Sequence, residues 1–342
     1  MGLMKIVIRV DASLQIGSGH IMRCLTLAEN LKHYSEVLFL CRPHKGNLIN
    51  LIEKNGFSVR VLEKENGNSD ESLKHSNWVG ATQLEDAHQC LKALGVEKFD
   101  WMILDHYGLD KTWEYLMKDR YKQLLVIDDL GDRDHICDVL LDQNFGANLN
   151  KYKGLVPKEC YVLAGTEFAL LRDEFINWRE KSLRRRNTYL FKRILINLGG
   201  VDKDNFTTKI IKELEKCKLP KDIQITVVLG ETSPHFKEVK EKAENSTLRI
   251  DLKTGVRNFA ELMSNADLAI GAGGVTTWER CCLGLPTIQL TIADNQKNLS
   301  NSLSEINALI LLDFVSNLKC ALIKVQGNLK IFSRNSSNLV DG

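Results

Sequence analysis

Apolar residues in the first half of the chain fall into short continuous runs, separated by segments with apolar positions at helical spacing. Runs of this length are typical of buried strands, and the spacing between them is typical of amphipathic helices. Strands that alternate with helices predict an α/β domain with a parallel sheet. The predicted strands are 5–10, 36–41, 58–62, 100–104, 123–127, 139–141 and 160–163, and the predicted helices are one from Ile21 onward, 48–55, 81–94, 112–119 and 168–186.

The same alternation begins again after the basic run 184–186, which we interpret as the solvated end of helix 168–186. Predicted strands lie at 193–198, 223–229, 248–252, 267–270 and 286–290, and predicted helices at 203–217, after Pro234, at 257–265, at 275–283 and from Asp294. We therefore expect two domains, at 1–187 and 188–342. The predicted fold class is α/β, with two Rossmann-like domains that face each other across a cleft.

Composition narrows the possible partners and the compartment. The 342 residues are 44% hydrophobic and 26% charged, with a net charge of +2, so nothing in the total favours nucleic acid or an anionic membrane. No apolar run approaches the roughly 20 residues of a membrane span, and the start lacks a signal-peptide pattern. Nine cysteines without a CxxC pair favour reduced thiols in a cytosol over disulfides or a zinc site. We expect a soluble cytoplasmic protein, monomeric, without a nucleic-acid partner or stable membrane association.

The most informative stretch of the first half is the glycine turn between the first strand and the first helix. Gly17 and Gly19 allow close approach of a ligand to the backbone, and His20 lies at the helix entrance. A helix start carries unpaired N–H groups and the positive end of the dipole, which suits an anion and disfavours a charged imidazolium. An uncharged histidine in a cleft is able to take a proton from water. His20 is therefore either a general base or a histidine that caps the helix or packs in the core.

Two further strand ends carry polar side chains. Strand 100–104 delivers Asp105, His106 and Tyr107 at the sheet edge where open α/β sheets bind ligands. Tyr107 either binds a sugar or phosphate group there or simply packs. Strand 123–127 runs into Asp128 and Asp129, which suggest a metal site or an acid/base pair but more often form a turn.

The second half has its own glycine-rich helix start within 271–296. Its glycines and the Thr276–Thr277 pair form a candidate diphosphate cradle. Glu279 lies one turn further along, where a carboxylate is able to accept both ribose hydroxyls; the alternative is an exposed helix acid. The dinucleotide motif GxGxxG, the P-loop motif and the motifs HExxH and GxSxG are all missing.

Several motifs in combination resemble a known family. The motif DxSxxIGxGHxxRCLTLA at 11–28 is followed by DHY (105–107), VIDDL (126–130), LLDQN (140–144), AGTEFALLRDEF (164–175), LINLGGVD (195–202) and the stretch 271–296. Together they resemble the UDP-2,4-diacetamido-2,4,6-trideoxy-β-L-altropyranose hydrolases of pseudaminic acid biosynthesis over nearly the whole chain. The second-half motif is also similar to the N-acetylglucosaminyltransferase that makes lipid II. This similarity implies a GT-B fold in which the domain at 188–342 holds the UDP and the domain at 1–187 carries the catalytic histidine and the sugar side. The last residues, NLVDG, resemble the beginning of the family's closing motif, so we expect a slightly short C-terminal end.

The resemblance implies that water attacks the anomeric carbon of a UDP-linked diacetamido sugar and that UDP leaves with inversion. His20 would be the general base, and we expect neither a metal nor a cofactor, because no DxD-like motif is arranged for magnesium. Glu279 would hold the ribose, and Asp11, Tyr107 and Asn295 would surround the sugar or orient His20 and water. Asp11 has an alternative role as the ion-pair partner of Arg9 or Arg23. The implied substrate-binding residues are Asp11, Gly17, Gly19, Arg23, Tyr107, Asn197, Gly199, Gly200, Gly273, Gly274, Val275, Thr276, Glu279, Asn295 and Gln296.

Two other functions remain open from the sequence. A GT-B glycosyltransferase would use the same UDP site but pass the sugar to an acceptor instead of water. A nucleotide-sugar-binding module would bind UDP and make no product. Each of the three functions predicts a small-molecule UDP-sugar as the ligand.

Overall fold

The computed structural model describes residues 3–64, 67, 69, 73–188, 190–230, 233–292 and 296–342. The chain divides into two compact units, Met1–Leu170 and Leu171–Gly342. Two predictions fall outside the described residues: the site residue Asn295 and the start of the last predicted helix at Asp294. Within the described part of the chain, no helix combines the length and apolar content that crossing a membrane requires.

The described residues of the first unit form a seven-stranded parallel sheet in the order β3-β2-β1-β4-β5-β6-β7. Its strands are β1 (Met4–Val10), β2 (Ser35–Cys41), β3 (Ser58–Val61), β4 (Phe99–Asp105), β5 (Tyr121–Ile127), β6 (Val139–Asp142) and β7 (Tyr161–Ala164). Its helices are α1 (Gly19–Leu31), α2 (Ile49–Lys54), α3 (Gln83–Leu94) and α4 (Lys111–Met117). Both faces of the sheet carry a buried apolar cluster, as a parallel sheet covered by helices requires.

The second unit contains a six-stranded parallel sheet in the order β10-β9-β8-β11-β12-β13. Its strands are β8 (Arg193–Asn197), β9 (Gln224–Leu229), β10 (Ile250–Thr254), β11 (Leu268–Ala272), β12 (Thr287–Leu290) and β13 (Ile310–Leu312). Its helices are α5 (Asp173–Arg186), α6 (Phe206–Leu214), α7 (Phe236–Glu244), α8 (Phe259–Asn265), α9 (Val275–Cys282), α10 (Lys297–Glu305), α11 (Leu318–Gln326) and α12 (Leu329–Ser337).

Both sheets reverse their strand order at an equivalent point. In the first unit the first strand, β1, pairs with β2 on one side and β4 on the other; in the second unit β8 pairs with β9 and β11 in the same way. The carboxyl edge beside such a reversal is where open α/β sheets bind ligands, because the loops on its two sides diverge. The glycine turns before α1 and α9 both lie at this edge.

The division between the units falls earlier than the predicted boundary at 187. Arg172 is extended, so α5 begins at Asp173 and not at 168. The helix then belongs to the second unit, because the buried guanidinium of Arg186 donates to the carbonyl oxygens of Met263, Ala266 and Leu283 at 3.0, 2.8 and 2.7 Å. The basic run 184–186, which we interpreted as the solvated end of the helix, is therefore buried in part, because Arg186 attaches α5 to the rest of the second unit.

Candidate active site

His20 is placed by the first helix and oriented by the neighbouring strand. It is the second residue of α1, directly after the turn that follows β1, and Asp105 is the last residue of the adjacent strand β4. The His20 Nδ1 atom lies 2.6 Å from Asp105 Oδ1. The two residues therefore meet at the point where the strand order reverses, which the sequence predicts as a ligand site.

Arg23 completes this contact from the next turn of α1. Its Nε donates to Asp105 Oδ2 and its Nη2 to Asp105 Oδ1, both at 2.6 Å. The fork matches a carboxylate in two places, so it fixes the carboxylate plane as well as its charge. Because Arg23 neutralises Asp105, the carboxylate acts on His20 mainly as a fixed hydrogen-bond acceptor.

The Asp105 carboxyl is ionised in the folded protein. Burial alone would raise its pKa, but the charge and hydrogen bonds of Arg23, and then those of His20, hold the pKa of Asp105 far below its usual range. An ionised carboxylate only accepts hydrogen bonds, so the His20 Nδ1 atom must carry the proton of their contact. In the uncharged imidazole this leaves Nε2 as the free acceptor, and no described residue bonds to it.

An aromatic group lines one side of the His20 ring. The ring of Tyr107 lies edge-on to it with centroids 4.6 Å apart, and Trp78 stacks on Tyr107 at 5.7 Å. The Tyr107 hydroxyl donates to Asp129 Oδ1. Burial, and the Asp129 charge after it, raise the pKa of Tyr107, so the hydroxyl stays protonated and donates. Tyr107 therefore packs against His20 and is fixed by a hydrogen bond.

The acid pair Asp128–Asp129 divides into two separate roles. Asp128 accepts the backbone N–H groups of Leu130 and Gly131 and pairs with Arg133 at 2.9 Å, so it forms the turn. Asp129 reaches the site through Tyr107 and through Arg23 Nη1 at 3.4 Å. The described residues contain no group of three or more potential metal-binding side chains.

Asp11 has partners of its own and takes no part in the His20–Asp105 contact. It is buried and pairs with Arg9 at 2.7 Å, and it accepts the backbone N–H of Arg42 at 2.7 Å. The ion pair with Arg9 is thus present, whereas Arg23 pairs with Asp105. Gly17 and Gly19 border open space, because a Cβ added at either position would meet no atom within 4 Å.

The second unit has one glycine turn at 199–200, before α6, and another at 273–274, before α9. The two differ in whether side chains cap the start of the helix that follows. At the start of α6, Asp202 accepts the N–H groups of Phe206 and Thr207 at 2.9 Å, and Asn205 accepts that of Thr208 at 3.2 Å. Gly199 is left-handed and open on its Cβ side, and Asn197 donates to the backbone of the neighbouring strand. The donors at the start of α6 are therefore occupied by the chain itself.

The start of α9 has no side-chain cap. Gly274 at its N-terminus has a φ of 106°, which favours glycine, and Val275 and Thr276 form the first turn. The backbone N–H groups of such an uncapped start are donors for an anion. The side chain of Gln296 lies beside Gly273 in this turn. Its Oε1 atom is 2.8 Å from the position that a Cβ on Gly273 would take.

Glu279 is a buried acid, not an exposed one. Its Oε1 atom accepts two hydrogen bonds from Arg172, at 2.9 and 3.1 Å, and its Oε2 atom is buried without a partner among the described residues. Burial raises the pKa of Glu279. The buried Oε1 atom of Gln296 also lacks a partner. Unpartnered buried oxygens are uncommon, and here two of them lie near one uncapped helix start.

Sequence reasoning missed the partners that orient the predicted groups. Asp105 was noted at its strand end but not as the partner of His20, and Arg172 was not assigned a role with Glu279. The sheet order supplies the first pairing, since β1 and β4 are neighbours although β2 and β3 separate them in sequence. The position of Asp105 at a strand end was the only sequence signal for it.

The chain is similar to one known domain family and to named proteins of two bacteria. Residues 194–312 match the glycosyltransferase family 28 C-terminal domain. The chain is 34% identical over 271 residues to the UDP-2,4-diacetamido-2,4,6-trideoxy-beta-L-altropyranose hydrolase of Campylobacter jejuni, a match that covers 78% of this chain and 84% of that protein. It is 28% identical over 206 residues to the Helicobacter pylori pseudaminic acid cytidylyltransferase and UDP-2,4-diacetamido-2,4,6-trideoxy-beta-L-altropyranose hydrolase, covering 59% of this chain and 36% of that protein.

Solved structures with similar folds include the crystal structure of MurG from Acinetobacter baumannii. It is 15% identical to this chain with a TM-score of 0.63, and the alignment covers 97% of this chain and 93% of that chain. A likeness at this identity concerns the fold alone. It confirms the predicted GT-B-like class of two Rossmann-like domains.

Replacing Asp105 with asparagine should destabilise the protein in a pH-dependent way. At pH 7 we expect a loss of about 3–5 kcal/mol in the free energy of unfolding, because Arg23 is left as a buried charge without its partner. The pKa of Asp105 is lowered by folding. Its stabilisation is therefore fully present at neutral pH and is lost progressively as the pH falls from about 4, the ordinary carboxyl range, toward the much lower pKa of the folded protein. The gap between wild type and Asp105→Asn should narrow there.

Urea unfolding followed by circular dichroism at pH 7 and pH 3 measures this gap. Asp100→Asn is the matched control, because Asp100 is a partly exposed carboxylate near the opposite end of the same strand and pairs with Lys122. This variant should remain close to wild type at pH 7. An Asp105→Asn variant as stable as wild type at pH 7 would contradict the assignment.

Proposed function

We infer the function from one premise, that the chain belongs to the UDP-2,4-diacetamido-2,4,6-trideoxy-β-L-altropyranose hydrolase family. Members of that family are named for cleaving a UDP-linked diacetamido sugar, so the chain is a hydrolase that acts on a nucleotide sugar. We propose that it breaks the bond between the anomeric carbon and the diphosphate. The products would be UDP and the free sugar, used in pseudaminic acid biosynthesis.

The observation that carries this proposal is the oriented imidazole at the strand-order reversal. Asp105 holds the proton of His20 on Nδ1, and Nε2 has no bond to any described residue. A water molecule beside Nε2 would lose a proton to it while the water oxygen attacks the anomeric carbon. The electrons of the broken carbon–oxygen bond leave with UDP, and attack from the opposite side inverts the anomeric centre. In this arrangement the carboxylate fixes the tautomer and the orientation of the histidine that acts as the base.

The nucleotide would be held by the second unit. The uncapped start of α9 offers N–H donors to the diphosphate, and the free Oε2 atom of Glu279 offers an acceptor to the ribose hydroxyls. Gln296 has a buried Oε1 atom nearby that also requires a donor. We propose that the turns at the ends of β8 and β11 line the nucleotide, with contacts from Asn197, Gly199, Gly200, Gly273, Gly274, Val275 and Thr276.

In the first unit Tyr107 would border the sugar next to His20, and Gly17 and Gly19 would allow close approach of the substrate. The contacts of Asp11 support a structural role, since its carboxylate is held by Arg9 and by the backbone of Arg42. Arg23 would act through Asp105 and keep the base in place.

A metal ion is not needed in this proposal. UDP leaves as an anion, and fixed N–H dipoles at a helix start stabilise such a charge without reorganising. The support is the uncapped first turn of α9, which begins at Val275.

Glycosyl transfer is the second candidate, because residues 194–312 match the glycosyltransferase family 28 C-terminal domain. A transferase would release UDP only when an acceptor is present. A binding module would release none.

Incubation of the protein with the UDP-linked diacetamido sugar in oxygen-18 water distinguishes these functions. We expect UDP release without an added acceptor and one heavy oxygen in the free sugar, because water attacks the anomeric carbon. Mass spectrometry of both products gives the position of the label. Label in UDP would mean that a phosphorus–oxygen bond breaks, and an absolute need for an acceptor would support transfer instead.

His20→Ala should retain UDP binding and lose turnover. General bases typically contribute about 10²–10⁴-fold, so kcat should fall by roughly that factor. Calorimetric titration with UDP and a UDP-release assay measure the two quantities separately. His33→Ala, an exposed histidine just beyond the end of α1, is the control and should behave as wild type. Full turnover by His20→Ala would rule out its role as the base.

Dialysis against EDTA should leave the rate of UDP release unchanged, since the leaving charge is stabilised by backbone donors. The rate is compared before dialysis, after dialysis, and after magnesium or manganese is returned. A loss on dialysis that is restored by either ion would refute metal independence while leaving the hydrolase assignment in place.

A further inference from the structure

Arg280 is a buried cation in the second unit whose hydrogen bonds go only to neutral groups. Its Nη2 atom donates to the carbonyl oxygen of Ala272 at 2.7 Å, to Gln289 Oε1 at 2.8 Å and to Thr277 Oγ1 at 3.2 Å. Its Nη1 atom donates to Thr276 Oγ1 at 3.3 Å, and its Nε atom has no partner among the described residues. The residue is only 2% exposed.

The charge of Arg280 lacks a bonded counter-charge within the described part of the chain. The adjacent acid, Glu279, directs its carboxylate to Arg172 and not to Arg280. Burial therefore outweighs the nearby negative charges and lowers the pKa of Arg280 to about 10, which still leaves it protonated near neutral pH. A buried charge without an ionic partner is destabilising, and a counter-charge supplied by a ligand would offset that cost.

The position of this charge gives it a use. Arg280 lies behind the strand end that leads into the uncapped start of α9. A Cβ on Gly271 would lie 2.5 Å from Arg280 Nη1, and Ala272 accepts from Nη2. These two residues directly precede Gly273 and Gly274, so the guanidinium lies beneath the turn proposed to hold the diphosphate. Charges interact far more strongly through such a dry interior than through water.

We propose that Arg280 is the buried counter-charge for the diphosphate of the bound nucleotide, and that it acts through the electric field behind the glycine turn without touching the ligand. The inference rests on the proposed function, because it takes the start of α9 as the diphosphate site. Arg280 is then a positioning residue for the leaving group. It strengthens the binding of the diphosphate and does not change the binding of the uridine part of the nucleotide.

Calorimetric titration of UDP and of uridine, each into wild type and variants, tests this split. Arg280→Gln should weaken UDP binding by about tenfold or more, since a charge near a dianion is removed from a low-dielectric site. Uridine affinity should stay within about twofold of wild type, the size of effect expected when no contact is lost. Arg280→Lys, which keeps the charge, should restore most of the UDP affinity.

Two other variants separate charge from general damage. Arg186→Gln removes another buried guanidinium bonded to backbone carbonyls of the same unit, and it should leave the ratio of UDP to uridine affinity unchanged. Glu279→Gln removes the proposed ribose acceptor, so it should weaken UDP and uridine by a similar factor. Arg280→Gln is therefore expected to lower the ratio of UDP to uridine affinity, whereas Arg186→Gln and Glu279→Gln are expected to leave this ratio unchanged.

A wild-type measurement keeps the test independent of how the variants fold. Raising the salt concentration from about 0.1 to 0.5 M should change the ratio of UDP to uridine affinity by less than about twofold, because buried charges are screened little. A ratio that collapses with salt would assign the effect to surface charges and overturn the proposal. Unchanged UDP affinity in Arg280→Gln, or a parallel loss of uridine, would overturn it as well. A wild type that binds no UDP would instead contradict the proposed function.

Discussion

The bidentate hydrogen bond between Arg23 and Asp105 is the interaction on which the placement of His20 in the first unit depends. An imidazole at a helix start is free to rotate and to change tautomer unless a neighbour fixes it. Asp105 provides that neighbour, but a buried carboxylate would be destabilising without its own counter-charge. Arg23 provides the counter-charge from the same helix as His20, one turn later. The imidazole, the carboxylate and the guanidinium therefore form one hydrogen-bonded cluster built from α1 and β4, which would hold His20 in place as the proposed base.

The two halves of the chain apply the same sheet topology to different tasks. In each sheet the reversal of strand order brings two loops to one edge. The first unit uses that edge to present side chains, with His20 from one loop and Asp105 from the end of the adjacent strand. The second unit uses it to present backbone, with the uncapped start of α9 after Gly274. This division fits the proposed function, because proton transfer needs a titratable side chain, whereas a diphosphate is well bound by N–H groups.

Most of the architecture could be predicted from the sequence because buried strands and amphipathic helices leave periodic signals. The order of strands and helices and the GT-B-like class followed from these signals and from the motifs. The bounds of α5 did not, because the pattern cannot show that Arg172 is extended or that Arg186 binds carbonyl groups distant in sequence. The short strand β13 and the two last helices, α11 and α12, carried too little pattern to be predicted.

The site was predictable only as a set of separate candidates. Glycines and polar residues at strand ends and helix starts indicated His20, Tyr107 and Glu279, since these positions have a fixed place in α/β sheets. Their partners were not predictable, because Asp105 and Arg172 are distant in sequence from the groups they bind and only the folded chain brings them together. For Asp11 the sequence offered two roles, a contact with the sugar or an ion pair with Arg9 or Arg23, and the structure contains the pair with Arg9.

The contrast between α6 and α9 has a consequence for how a ligand arrives. Their preceding strands, β8 and β11, are neighbours, so the two helices start side by side at one edge of the sheet. Asp202 places a negative carboxylate at the start of α6, while the start of α9 remains positive. A nucleotide that binds at this edge as proposed would meet a potential that changes sign over a short distance. Its phosphates would be drawn toward the start of α9 and away from that of α6, so the substrate would be oriented before contact forms.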